Sequence, residues 1–287
     1  MGIFCSICIF LYASFSGNCQ ESQEHWIEKA DELYSKGQFN DAAIAYERSV
    51  FSGLFVNKIG LIKLKKADCY KQQENFTRAL KELETIFLPS MPDSIQNAVI
   101  YQKALCHYLN HNSQEASAWI EQLPIEFKTL ENTVLEIMIN SDLLRWEKAK
   151  ERMLLLINSN NSGERKDSLI IACNHIFDNK YLPKIKKIKT AVMLSTFFPG
   201  AGQIYVGYVG RGLLAFTFTA GSIAVAAFEI VNGFYITGYV VGLGFFQKFY
   251  FGGIEQTRRL TIERNSKKVE KYNDKIKNLI FSSINVK

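Results

Sequence analysis

The chain has 287 residues, enough for one large domain or two ordinary ones. Its 47% hydrophobic and 13% aromatic content excludes a disordered chain. The net charge of +6 is modest, and the basic residues flank an apolar block between Thr190 and Phe251, which suits lipid headgroups and not a nucleic-acid groove.

Ile3 to Phe15 is apolar and ends in the small residues Ser14, Ser16 and Gly17, the layout of an export signal over residues 1–19. It is too short to span a bilayer comfortably and carries no Lys or Arg before it. Met1 to Ser6 also fits an N-myristoylation pattern, and Cys19 just past the apolar core leaves lipid attachment open despite the unsuitable Asn18 before it. Export is the reading adopted. Of the six cysteines, Cys5 and Cys8 would be lost with the signal, while Cys69, Cys106 and Cys173 are spaced as core residues and not as bridges or ligands.

Residues 20–160 carry an internal repeat. Trp26, Ala30, Leu33, Gly37, Phe39, Ala42, Tyr46 and Ser49 have the spacing of two antiparallel helices that cross at small residues. Ala67, Tyr70, Phe76, Ala79 and Leu83 repeat it, as do Ala104, Tyr108, Ala116, Ile120 and Leu123. Ala42, Ala79 and Ala116 are 37 residues apart, and Trp146 with Ala149 opens a further copy. This region resembles the tetratricopeptide superfamily. The resemblance implies an all-α array of helix pairs whose groove takes a peptide or protein partner. The step exceeds the usual ~34 residues and predicts longer turns. Leu33, Tyr34, Tyr70, His107 and Tyr108 are the candidate groove residues. His107 and His111 stand four apart beside Cys106, but nothing is spaced to complete a metal site.

A turn-rich stretch from Asn158 to Gly163 ends the array, and residues 161–183 form a connecting segment with a helix over Asp167 to Asn179. Residues 184–256 read as a membrane module. Three uncharged runs, Thr190–Gly210, Gly212–Phe228 and Ile230–Gln247, are separated by Arg211 and by Glu229 with the Asn232-Gly233 turn. The second and third are long enough for marginal spans. Pro199 and Gly200 break the first. Gly238 and Gly242, like Ala220 and Ala224, offer small faces for close packing. Pro199, Gly200, Gly202, Gln203, Tyr205 and Gly207 match the P-G-x-G-Q-x-Y-x-G pattern of a bacterial family of uncharacterised membrane modules, and Gly212 fits its later glycine. The module resembles that family, whose members commonly follow tetratricopeptide repeats in exported proteins. Phe249 to Gly253 departs from its closing pattern, since Gly253 stands where an Asn is usual.

Lys184, Lys186, Lys187 and Lys189 precede the module and Arg258, Arg259, Arg264, Lys267 and Lys268 follow it, so topology stays open between three crossings and two crossings with a re-entrant first segment. Residues 257–287 form a basic tail, with a helix over Thr257 to Ile280 that lies on the membrane, packs on the repeats or stays solvated. No catalytic, cofactor or metal set stands out. The expectation is a non-enzymatic scaffold, an all-α repeat array tethered by a transmembrane hairpin, with a protein partner, lipid contact, and no nucleic acid. The rival is a transporter or membrane-enzyme component with a site at the broken segment around Pro199, using Gln203, Tyr205 and Glu229.

Overall fold

The computed structural model describes residues 24–51, 56–124 and 129–284. The expected export signal, with Cys5, Cys8 and Cys19, lies outside them. Every regular element among the described residues is a helix, and the chain divides into two units between Ile170 and Ile171.

The first unit is a series of helix pairs, consistent with a repeat array. They are α1 (24–35) with α2 (Phe39–Phe51), α3 (Val56–Gln72) with α4 (Phe76–Glu84), α5 (Asp93–Leu109) with α6 (Ser113–Ile120), and α7 (Leu130–Asp142) with α8 (Trp146–Asn160). Within each pair the chain reverses in the same way. The carbonyls that end a helix need donors, and a single residue in the left-handed region lets the next two N–H groups turn back onto them. That residue is Gly37 (φ 73°), Glu74 (57°), His111 (58°) or Leu144 (60°). At the first turn Gly37 N–H donates to the Tyr34 carbonyl and Gln38 N–H to that of Leu33, both at 2.9 Å. The pairs 74/71 and 75/70, 111/108 and 112/107, and 144/141 and 145/140 repeat these bonds.

Five residues beyond each left-handed residue stands a fully buried alanine: Ala42, Ala79, Ala116 or Ala149. Seven before it stands Ala30, Ala67, Ala104 or Ile137, also buried. These positions face each other where the two helices cross, so a small residue on at least one side sets how closely the axes approach. The extra length of the repeat falls between pairs. The link from Thr85 to Pro92 contains a 3-10 turn at Leu88–Ser90, whereas each turn inside a pair takes three residues.

Each core is closed by the next pair. Ile62 and Cys69 of α3 complete the cluster built on α1 and α2; Val99 and Cys106 of α5 complete that of α3 and α4; Leu135 and Ile139 of α7 complete the third. Such an array is stabilised by contacts between neighbours. Cys69 and Cys106 are free and buried, and burial, the largest influence, pushes the Cys69 thiol up to about 12 and the Cys106 thiol to about 11. They are inert core residues. Lys66 joins the first two pairs by reaching Glu47 on α2 and Glu82 on α4, the latter at 2.7 Å.

Helix α9 (Gly163–Ile176) crosses the division between the units. The second unit contains α10 (Ile188–Phe197), α11 (Ala201–Val206), α12 (Val209–Val231), α13 (Tyr235–Thr237), a π-helical stretch at Gly238–Leu243, and α14 (Gly244–Ile284). The last three run on as one helix. The basic segment expected from Thr257 is therefore a continuation of the third apolar run. Among the described residues α12 is the one helix long and apolar enough to cross a membrane, with mean hydropathy 1.8 and 17% of its span buried. Leu213, Phe216, Ile223, Val225 and Phe228 all face outward from it.

Glu74 and His111 are exposed and hold a conformation that costs a side chain ~1–2 kcal/mol. Glu74→Gly and His111→Gly are expected to raise stability by about 0.5–1 kcal/mol each, and Gly37→Ala to lower it by about 1 kcal/mol, read from denaturant unfolding of the array.

Candidate functional site

The first unit carries a groove of about 330 Å³ along its first-helix faces, lined by Asp31 and Tyr34 of α1, Leu64, Lys65 and Asp68 of α3, and Ala98 and Gln102 of α5, with Tyr46 of α2 below. Its polar groups fall in two neighbouring sets. Lys65 Nζ reaches both oxygens of Asp31 at 2.7 and 2.8 Å, and the Tyr46 hydroxyl donates to the same carboxylate. One repeat on, Lys71 pairs with Asp68 at 2.7 Å while the Tyr34 hydroxyl donates to it. Partial burial opposes ionisation of both carboxyls, yet the lysines and tyrosines outweigh it and hold each below its ordinary value. Burial, then Asp68, pushes the Tyr34 phenol up to about 12. Gln102 Oε1 is buried without a partner among the described residues, on a side chain that lines the groove.

Of the five groove residues expected from sequence, Tyr34 lines this groove. Leu33 and Tyr70 pack against the first core cluster, and Tyr70 touches the second as well. Tyr108 packs against the third cluster. His107 is half-buried on α5, and burial lowers its pKa. His111 is the left-handed turn residue of its pair. Among the described residues no group of three or more His, Cys, Asp or Glu could hold a metal ion.

The second unit gathers the glycine motif into one packing knot. Pro199 is half-buried at the turn out of α10. Gly200 follows at φ 86°, and a Cβ there would stand 2.0 Å from the Gly212 carbonyl oxygen. A Cβ on Gly202 would lie 2.0 Å from the Ala191 carbonyl and 2.7 Å from Thr257. Gly207 closes α11 at φ 99°, against the Arg264 guanidinium. Gly212 lies against Ile204. The glycines are therefore places where α10, α11, α12 and α14 meet with no room for a side chain.

Polar groups stitch the same crossing. Ser195 Oγ accepts from Gly202 N–H at 3.2 Å and lies 2.8 Å from Thr257 Oγ1. Gln203, fully buried, donates through Nε2 to the Gly253 carbonyl at 3.3 Å and to Gln256 Oε1 at 3.1 Å, while its own Oε1 has no partner. Tyr205 carries Lys186 Nζ 4.2 Å above its ring. Beside the knot a cleft of about 430 Å³ separates α12 from α14, lined by Arg211, Phe218, Lys248, Phe249 and Gln256 among others. Phe218 and Phe249 stack across it with centroids 5.2 Å apart. Sequence reasoning passed over Lys248; its signal is a single cation that closes the third apolar run. Glu229 lies on the last turn of α12, half-buried.

No protein-family model, curated protein or solved structure matches the chain.

The depressed carboxyls give the array an acid-sensitive element. Asp31 and Asp68 titrate below their ordinary 3.8 when folded, so their contribution is complete above that pH and disappears as pH falls through the lower folded values. The double substitution Asp31→Asn, Asp68→Asn is expected to flatten the acid side of a stability-against-pH curve, with little change in its slope above pH ~5.

Proposed function

We propose that the chain is a membrane-tethered tetratricopeptide-like scaffold that binds or organises a protein partner through the groove on α1, α3 and α5. The observation that carries this reading is the union of a stacked helix-pair array, open along one face, with a unit whose long apolar helix leaves most of its surface uncovered. Exposed apolar surface on that scale marks a membrane or a partner. The apolar arm after Gly233 returns beside α12, and the two together make the transmembrane hairpin. The glycine motif, as in the bacterial membrane modules it resembles, fixes the base of the hairpin and performs no chemistry.

A second reading is favoured by two specific groups. Gln203 Oε1, without a partner among the described residues, and Lys248, a cation on an apolar arm, are the kind of polar groups that mark a pathway or site inside a membrane protein. A transporter or membrane-enzyme component would use them.

Two variants separate tether from scaffold. Ile223→Lys changes an exposed side chain at the middle of α12. In water such a change is nearly neutral, within ±0.5 kcal/mol or so, whereas a cation at the centre of a span costs ~2.5–3.5 kcal/mol. It is expected to release the protein from membranes and to leave its cross-linked partner unchanged. Ala98→Arg, which fills the groove, is expected to stay in membranes and lose that partner. A partner that survives Ala98→Arg and vanishes with Gln203→Ala would favour the second reading.

The side of the membrane is pulled two ways. The export signal expected over residues 1–19 puts the array outside the cytoplasm, while lysines and arginines near membrane segments favour the cytoplasmic side. A reporter cysteine placed at Ser35 on α1 is expected to react with an impermeant reagent in intact cells if the signal governs; protection of that site places the array inside.

A further inference from the structure

Small residues fix the register of the two apolar arms. A Cβ on Gly238 would meet Ile230, one on Gly242 would meet Ala226, and one on Gly253 would touch Ala215, so the arms run antiparallel. Four residues further along each arm, Arg211 of α12 comes level with Thr257 of α14. Helix α10 joins at that same level through the Ser195–Thr257 bond and then runs away from the arms. Lys186 N–H donates to Asn265 Oδ1 at 3.0 Å, Asn265 Nδ2 donates to the Lys186 carbonyl at 2.8 Å, and Lys268 Nζ reaches the Lys184 carbonyl at 2.9 Å. The first apolar run therefore lies mainly beside the basic half of α14 and meets the hairpin at its base, where the Tyr250 hydroxyl donates to the Thr196 carbonyl at 2.7 Å and Gln203 reaches Gly253.

This arrangement brings charges from three distant parts of the sequence to one end of the second unit. Residues 184–189, Arg211 and residues 255–268 together hold ten Lys or Arg against two carboxylates, Glu255 and Glu263. The opposite end, residues 229–239 around the Asn232-Gly233 turn, holds no Lys or Arg. The distance between the two ends fits a bilayer. The twenty steps from Arg211 to Val231 rise about 30 Å at helical pitch, and the nineteen from Thr257 back to Gly238 about 28 Å, against a hydrocarbon core of ~30 Å. Lys248 lies nine residues inside the basic end, about 13 Å along the helix. It shares a cleft with Arg211 and Gln256, which gives its long side chain a polar route out of the apolar zone.

We propose that this cation-bearing end is a docking surface for anionic phospholipid headgroups. On this view α10 and α11 lie at headgroup level, the two arms alone cross, and the chain enters and leaves the bilayer on one side. The proposal rests on the reading of α12 and the arm after it as a membrane hairpin. Cations at the interface attract anionic lipid and are screened by salt, whereas insertion of the apolar arms is not.

The test uses the purified full chain with vesicles of phosphatidylcholine alone or of phosphatidylcholine mixed with phosphatidylglycerol. The expected result is association with both, stronger on the anionic vesicles by about tenfold at low salt, with the difference lost at high salt. A variant carrying Lys187→Gln, Lys189→Gln, Arg258→Gln and Arg259→Gln, all at exposed positions, is expected to bind the neutral vesicles as the parent does and to lose most of the preference for the anionic ones. Equal, salt-independent binding of the parent to the two vesicles overturns the proposal and leaves the hairpin standing. Binding to neither overturns the hairpin and the proposal with it. In the vesicle-bound protein, a cysteine from Ser266→Cys is expected to react with an impermeant reagent and one from Asn232→Cys to be protected. Reaction of both, or protection of both, rules out the two-crossing arrangement. The salt dependence of the unaltered chain keeps the proposal open to refutation even if the fourfold variant fails to fold.

Discussion

A helix that stops must find donors for its last carbonyls, and among the described residues that need is met with one device used six times. A residue in the left-handed region turns the chain, its N–H and the next one fold back onto the helix just ended, and the following helix starts at once. The residues are Gly37, Glu74, His111 and Leu144 in the first unit and Gly207 and Gly233 in the second, and the paired hydrogen bonds are the same at each. The device also constrains the residues after it. Five positions on stand Ala42, Ala79, Ala116, Ala149, Gly212 and Gly238, the first turn of the new helix pressed against the last turn of the old. At Gly212 and Gly238 the contact is visible, since a Cβ there would press on Ile204 and Ile230, each three residues before its turn. The repeats and the apolar hairpin are thus variants of one helical reversal, with the interhelical space filled by alanine in one and closed by glycine in the other.

That shared device explains what the sequence made legible. The small residues and their 37-residue step were visible because close crossing excludes larger side chains, and the glycines of the second unit were visible for the same reason. Three of the turn residues were not. Glu74, His111 and Leu144 adopt a glycine-like conformation with ordinary side chains, because hydrogen bonds on both sides hold the backbone there and the position is open to solvent. Of the residues expected at a groove, Tyr34 lines the one on α1, α3 and α5. Residues four before each turn, such as Leu33 and Tyr70, pack partly against the cores between pairs. Residues six and nine before it, Asp31 and Asp68 or Lys65 and Gln102, are those that line the groove. Those polar residues recur at the same step as the alanines, on the face that the small residues leave free, and that coincidence was the signal available.

The level of α10 was not legible, because hydropathy along a chain says nothing of which apolar segment lies beside which. Thr190 to Gly210 is as uncharged as the two later runs, but Ser195 bonded to Thr257 and Gln203 bonded to Gln256 pair its helices with the start of the basic half of α14. A few side-chain hydrogen bonds and four glycines decide that placement. Burying such a polar cluster is stable only when its members satisfy one another, and Gln203 Oε1 is the acceptor left over.

Burial separates the two units more sharply than composition does. The helices of the array hide their apolar stripes in cores shared between neighbours, while α12 turns Phe216, Ile223 and Phe228 outward with at least half of each accessible. So much exposed hydrocarbon on a single helix marks a membrane or a partner surface, and the cations gather at one end of it. Most of the cations begin at the level that Ser195, Arg211 and Thr257 share. On the proposed reading that level is a bilayer surface, where hydrocarbon and charged headgroups meet within a few ångströms.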